Sequence, residues 1–311
     1  MPRTHHLTDE RVHNKWDTDN PPLLTIDSGD TVVFWTRDVS DNQIGPDADV
    51  SVLDEVDWDR EYPLTGPIAV RDAAPGDTLQ IDVLDIHTRG WGWTVILPEL
   101  GLLPDEFPDP YLRVFDLSLG DTAYLREDIA IPVEPFLGTM GVCPAGATAQ
   151  AGAPPGSFGG NVDIRQLVRG STLYLPVQVP QALFSCGDAH GAQGDGEVCI
   201  TAIEAPMLAS LRFTLHTDRP IPAPQFRTPA PLTPRTDTAP YDGTTGVGDD
   251  LYAAAQDAVR AMIDHLAAEY GLGREDAYIL CSLAVDLRLS EVVNAGQYVV
   301  SALLPEAIFS P

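Results

Sequence analysis

The apolar residues of this chain come in short runs cut by proline or glycine about every ten positions, and that punctuation constrains its fold more than any other feature. Proline lacks an amide hydrogen and clashes with the preceding helical turn, so long helices are excluded wherever it recurs. Residues 23–38 (LLTIDSGDTVVFWTRD) read as a strand, a Ser-Gly-Asp turn and a second strand over 31–36, together a hairpin ending at Asp38. Pro67 fixes an extended entry to a short strand over 68–70, and Pro75-Gly76-Asp77 turns into an alternating strand over 79–86. Residues 39–62 are acidic and aperiodic, which predicts a surface loop. Residues 87–112 carry Trp91, Trp93 and several prolines, which predicts a long ordered loop over a pocket. Short strands resume over 113–135, and further strands are expected over 173–183, 198–203 and on to about 216. The Gly/Ala/Pro-rich stretch 136–163 is too poor in periodicity for regular structure, and its Phe136, Met140, Phe158 and GGNVD tail predict an ordered loop close to a site.

The pattern changes after 217. A Pro/Thr-rich segment, 218–248, reads as an extended surface arm. Leu251, Ala254, Ala255, Ala258, Met262 and Leu266 then recur at helical spacing over 249–270, with Gly271 as the stop. A second helix is expected over 274–287 and a late strand over 292–304. The fold class is therefore mostly β, sandwich- or barrel-like, with a C-terminal α+β portion carrying two helices. Residues 1–217 form the β-rich part that bears the site, and residues 218–311 pack on the same body.

The formal net charge of −28 excludes nucleic acid as a partner, because phosphate contacts need clustered basic residues. Lys15 is the only lysine and lies in a polar stretch, so Schiff-base, P-loop and lysine-assisted amidase chemistry are excluded as well. No apolar run reaches membrane-spanning length, and MPRTHHLTDERVH lacks a signal-peptide core. Cys143, Cys186, Cys199 and Cys281 show no CxxC spacing, and the expected compartment is the cytoplasm with reduced thiols. His5, His6 and His13 fall in a flexible-looking stretch and make a poor metal site.

The densest chemistry lies in residues 183–204, LFSCGDAHGAQGDGEVCITAIE. Gly187, Gly191, Gly194 and Gly196 alternate there with Asp188, His190, Gln193, Asp195 and Glu197, which predicts a tightly folded loop between two strands. Asp188 and His190 are two apart and would share one side of a strand end. Glu197 is a further donor or a general base, Glu204 follows, and Asp38 approaches from its own strand end. Histidine with carboxylates suits a catalytic Zn²⁺ that keeps an open position. Asp195, between glycines, reads as a turn former. Cys186 is the rival nucleophile. Two readings from other classes stand beside these: a non-catalytic Ca²⁺-binding module using Asp242–Asp250 (DGTTGVGDD), and a glycosidase using Asp195 and Glu197.

The string GDAHGAQGDGEVCITAIE resembles the GD-x-H-x-x-QGDGE signature of the acetamidase/formamidase family, and LTGPIAVRDAAPGDTLQIDVLDI, GSFGGNVD and the C-terminal DAYILCSLAVDLRLSEVVNAGQYVVSALLP resemble other segments of that family in the same order. The resemblance implies a β-sandwich-like fold with a C-terminal α/β part, homo-oligomers, and hydrolysis of short amides to carboxylate and ammonia, with some members acting on cyclic amides. It also implies a bound divalent metal, zinc ahead of calcium. Carried over by position, it implies a site of Asp188, His190, Glu197 and Asp38 with Asn161, Gln193 and Glu204 nearby. Of these, Asp38, Asp188, His190 and Glu204 are expected as metal ligands and Glu197, Asn161 and Gln193 as the catalytic set, with Glu197 as proton acceptor and Asn161 or backbone amides of the glycine loops stabilising the oxyanion. Ala189 departs from the glycine that many members have there.

Overall fold

A computed structural model describes residues 1–229, 231–233, 235–294 (Asn294 by its backbone alone) and 296–309. Ala230 and Pro234 of the expected arm and Ala295 of the expected late strand lie outside them. The chain is mostly β with two helices near its C-terminus, as its punctuation predicts. Two six-stranded sheets form the body. The first runs Thr4–Leu7, Thr31–Thr36, Met207–His216, Thr78–Thr88, Thr172–Pro176 and Gln225–Arg227 in spatial order. The second runs Gly159–Asn161, Phe136–Gly141, Phe184–His190, Leu64–Val70 and Val12–His13, with Leu24–Ile26 joining Leu64–Val70 in parallel.

The sheets meet face to face through alternating side chains. Phe34 and Phe213 of the first sheet pack edge-on against Phe184 of the second, with ring centroids 6.0 and 5.0 Å away. Edge-to-face contact suits the ring quadrupole. The arrangement is a sandwich; no sheet closes into a barrel.

Several expectations change. The 23–38 segment is not a hairpin: Leu24–Ile26 and Thr31–Thr36 belong to different sheets, and the Asp27–Asp30 turn carries the chain from one to the other. Thr4–Leu7, expected to be flexible, pairs in parallel with Thr31–Thr36, and His5 meets the buried Asp30 at 2.9 Å. The 87–112 stretch holds the whole strand Trp91–Ile96, hairpin-paired with Tyr111–Asp116, which begins at the end of the stretch. Residues 136–141 and 159–161 are strands: Gly138, Gly141, Gly159 and Gly160 admit neighbouring groups where a Cβ would collide, so low periodicity there reflects close approach rather than irregularity.

The segment 183–204 is corrected most. Phe184–His190 is itself the central strand of the second sheet, buried at every residue. Residues 198–203 form no strand. Side chains take several of their backbone groups instead: the Tyr278 hydroxyl donates to Val198 O, the Cys199 amide donates to Ser282 Oγ, and the Ser282 hydroxyl donates to Thr201 O.

Past 217, Tyr241–Gly248, Gln297–Pro305 and Asp286–Asn294 form a three-stranded antiparallel sheet, so the end of the expected arm and the end of the expected second helix are both strand. Helix α1 (Leu251–Tyr270) is capped by Asp250, whose carboxylate accepts from the Ala253 amide, and closes on left-handed Gly271. Helix α2 (Arg274–Ala284) is buried from Ala277 onward and belongs to the same apolar cluster as the sandwich. No helix among the described residues is long and apolar enough to cross a membrane.

Gly246 marks the closest approach of α1 to its sheet: a Cβ there would stand 1.9 Å from Ala254 O. Gly246→Ala is expected to cost about 1–3 kcal/mol through overpacking, read as a lower denaturant midpoint. An unchanged midpoint would contradict this packing.

Candidate active site

The end of the central strand delivers His190 into a half-enclosed cavity of about 230 Å³ between the second sheet, the 39–62 segment and the Trp91–Ile96 hairpin. The ring is buried, and Phe136 on the adjacent strand meets it edge-on at 5.0 Å. His190 Nε2 lies 3.2 Å from Asp188 Oδ1 and 3.2 Å from Glu204 Oε2. On the other side, Nδ1 lies 2.8 Å from Gln193 Oε1 and 3.9 Å from both Asp163 Oδ1 and Glu197 Oε1. Four carboxylates thus surround one imidazole.

The local backbone explains how they converge. Asp163, Asp188 and Glu197 all have positive φ (45°, 50° and 44°), a conformation that non-glycine residues rarely adopt and that clusters at functional sites. Gly138 is required opposite them, since a Cβ there would stand 2.6 Å from Asp163 Oδ1 and 2.8 Å from His190 Cε1. Glu204 is placed by backbone hydrogen bonds to Trp93 on one side and by the Gly191–Ile203 and Ala205–Ala189 bonds to the central strand on the other. The Ala202 amide occupies Glu204 Oε1, and Oε2 has no hydrogen-bond partner; Asp163 Oδ1 is likewise buried without one.

Gln193 settles the imidazole's tautomer. Its Nε2 donates to Asp163 O at 3.0 Å, so its Oε1 faces His190 and the ring proton sits on Nδ1. In the neutral ring the Nε2 lone pair then points between Asp188 and Glu204, and in the protonated ring that nitrogen faces both carboxylates with its proton. Thr139 Oγ is 3.0 Å from Asn161 Oδ1 and 3.3 Å from Asp188 Oδ2, which leaves the Asn161 amide group free to donate into the cavity it lines.

Burial dominates the site's electrostatics. It pushes Glu204 up to about 7, against the opposing pull of His190. Asp163 is pushed up to about 7 by burial and then by the Asp188 charge, and Glu197 stands well above the carboxylate range through burial and the Asp163 charge. Burial alone would depress His190, but Glu204 and Asp188 outweigh it and hold the ring well above its ordinary value. The Tyr62 hydroxyl, among the same carboxylates, is also raised, by burial first and then by Asp188.

Most of the residues expected from the sequence meet here: Asp188, His190, Glu197, Glu204, Gln193 and Asn161. Asp38 does not. It is absent from the cavity lining, and its Oδ1 accepts from the Ser40 amide and hydroxyl, which shapes the start of the 39–62 segment; burial pushes it up to about 6. Cys186 is fully buried in the apolar core with its thiol pushed up by burial, so it lacks both access and a base. Asp195 accepts from Gln166 and its backbone bonds Leu287 and Asp286, so it anchors the C-terminal sheet and is unavailable as a glycosidase carboxylate. Asp242–Asp250 runs as a strand into a helix cap, so its carboxylates point to separate partners: Asp242 pairs with His265 and Asp250 caps α1. That removes the basis for a calcium loop there.

Asp163 and the wall residues Trp58, Glu61 and Tyr62 lie outside the set expected from the sequence, whereas Trp93 belongs to the 87–112 stretch expected over a pocket. The GGNVD string ends on Asp163 and carries the signal for it; Trp58 and Tyr62 come from the 39–62 segment, whose aperiodicity gives none.

The whole chain matches the model of the acetamidase/formamidase family, over residues 2–151 and 145–311. The chain belongs to that family. It is 27% identical to a formamidase of Methylophilus methylotrophus over 97% of this chain and 90% of that protein, and 30% identical to an acetamidase of Mycolicibacterium smegmatis over 60% and 61%. Among solved structures, an acetamidase from Bacillus halodurans is 33% identical with a TM-score of 0.68 over 96% of each chain. A gamma lactamase from Delftia acidovorans shares the fold more closely, at a TM-score of 0.91 over 99% of this chain and 94% of that one, with 24% identity. The protein is an amide-hydrolysing enzyme of this family.

The buried Tyr278 hydroxyl ties this site to α2, donating to Val198 O and accepting from the Leu102 and Leu103 amides. Tyr278→Phe removes three hydrogen bonds and leaves the buried Leu103 amide unpaired, while the Leu102 amide keeps its bond to Val198 O; it is expected to cost about 1–3 kcal/mol of stability and to lower kcat/KM, because Glu197 precedes Val198 directly. Wild-type stability and turnover in that variant would contradict the tether.

Proposed function

We propose that this enzyme hydrolyses a short-chain carboxamide of the formamide or acetamide type to a carboxylate and ammonia, with a divalent cation, zinc ahead of calcium, held by the His190 cluster. The observation that carries this reading is the pair of buried oxygens, Glu204 Oε2 and Asp163 Oδ1, that lack a hydrogen-bond partner while facing His190. Buried carboxylates repel one another unless a proton or a cation lies among them, and one imidazole is too little for four. The ligand atoms of Asp188, His190 and Glu204 lie within 4.8 Å of one another. That donor set fits a divalent ion, with Gln193 orienting the imidazole from behind as outer partners of metal ligands do.

In this reading Asp188, His190 and Glu204 hold the cation, and Asp163 flanks it. When bound, such an ion polarises a carbonyl and lowers the pKa of a nearby water. The chain's own residues do the rest. Glu197, across the ring from Glu204, takes the attacking water's proton and returns it to the departing nitrogen; a carboxyl raised towards neutrality suits that exchange. The Asn161 amide stands where a donor can receive the developing oxyanion. Gln193 is a positioning residue rather than a catalytic one.

Ammonia release from formamide, acetamide and a small cyclic amide, measured before and after chelation, tests this directly. Turnover is expected to vanish with chelator, to return with zinc, and to survive iodoacetamide because Cys186 is enclosed. Glu197→Gln is expected to lower kcat by about 10²–10⁴-fold with the fold intact. Turnover indifferent to chelator, or abolished by alkylation, would refute the assignment.

A further inference from the structure

The cavity is larger and more apolar than formamide or acetamide requires. Its volume of about 230 Å³ holds roughly seven waters, whereas either amide is only a few heavy atoms. Asp163, Asp188, Glu197 and Glu204 surround His190 in it. Val39, Trp58, Leu97, Leu100 and Ile200 also line it, supplied by segments outside both sheets. Ile200 is the telling residue. It is 41% exposed and has φ 82°, a conformation that costs a β-branched residue steric strain, and its amide closes a turn on Glu197 O at 3.0 Å. The fold thus bears strain to hold an exposed apolar side chain on the same tight turn as the proposed proton acceptor. A core role does not account for it, since the side chain is not in the core.

We propose that, beyond formamide and acetamide, this cavity accepts and favours a primary amide with an apolar acyl group of about phenyl size, seated against Ile200, Leu100 and Trp58 while its carboxamide faces the His190 cluster. The inference rests on the amide-hydrolysing reading of this cavity. The reaction is unchanged: water adds to the carbonyl carbon, the C–N bond breaks, and carboxylate and ammonia leave. Each methylene buried on binding is worth about a fourfold gain, so an acyl group that packs on these apolar side chains gains at least about tenfold over a methyl group.

The test is kcat/KM for acetamide, isobutyramide and benzamide with the metal-replete enzyme, followed by the same series on Ile200→Ala and Leu100→Trp. The expected result is a rise of at least about tenfold from acetamide to benzamide, and a fall in the benzamide-to-acetamide ratio in both variants, one by removing the contact and one by filling the space. A flat or falling series in the wild type, with acetamide turned over well, would overturn this inference and leave the amidase reading standing. Absence of turnover on every amide would overturn both. If either variant fails to fold, the wild-type series alone still decides.

Discussion

Everything at this site depends on the crowding of Asp163, Asp188, Glu197 and Glu204 around a single buried imidazole. Like charges at such distances cannot all remain ionised out of water, and the arrangement persists only because the surrounding fold over-determines it. Three of the four residues flanking His190 sit at positive φ, and Gly138 gives up a side chain to let Asp163 and the imidazole close. The strain and the charge are two sides of one design: a rigid frame holds acids where water alone would not keep them, which is what a cation site and a proton-transfer site both need.

The frame is built from ordinary parts. A sandwich supplies a central strand covered on both faces, and His190 is its last residue, where the chain leaves the sheet for a glycine-rich turn. That turn cannot pair with a neighbouring strand, so Tyr278 and Ser282 of α2 satisfy its backbone, and Gly194 packs directly on Val285 just beyond the helix. The C-terminal portion therefore sets the position of Glu197 without contributing a residue to the cavity. The two prolonged segments, 39–62 and 91–100, then roof the site with tryptophan, tyrosine and aliphatic side chains.

Fold class and the core of the site were legible in the sequence because both are written locally. Proline and glycine punctuation dictates short strands, and helical periodicity over 251–266 dictates α1. Asp188 and His190 lie two apart, and Glu197 and Glu204 follow within the same string. What failed was partner choice. Leu24–Ile26 and Thr31–Thr36 look like a hairpin because the turn between them is short, yet the two strands pair in different sheets through long-range contacts that no local pattern encodes. Glycine was misread for a related reason. In 136–141 and 184–190 it permits another strand or side chain to approach, and sequence alone cannot separate that use from a loop. Asp38 stands apart from the His190 cluster because a strand-end aspartate can equally turn back onto its own following residues, as one of its oxygens does on Ser40.

The most direct measurement is the metal content of the freshly purified enzyme by elemental analysis, beside that of Asp188→Asn and Glu204→Gln. The account predicts a divalent metal in stoichiometric amount in the wild type and its loss from both variants while their circular dichroism stays native. A fully active wild-type enzyme that carries no divalent metal would contradict it.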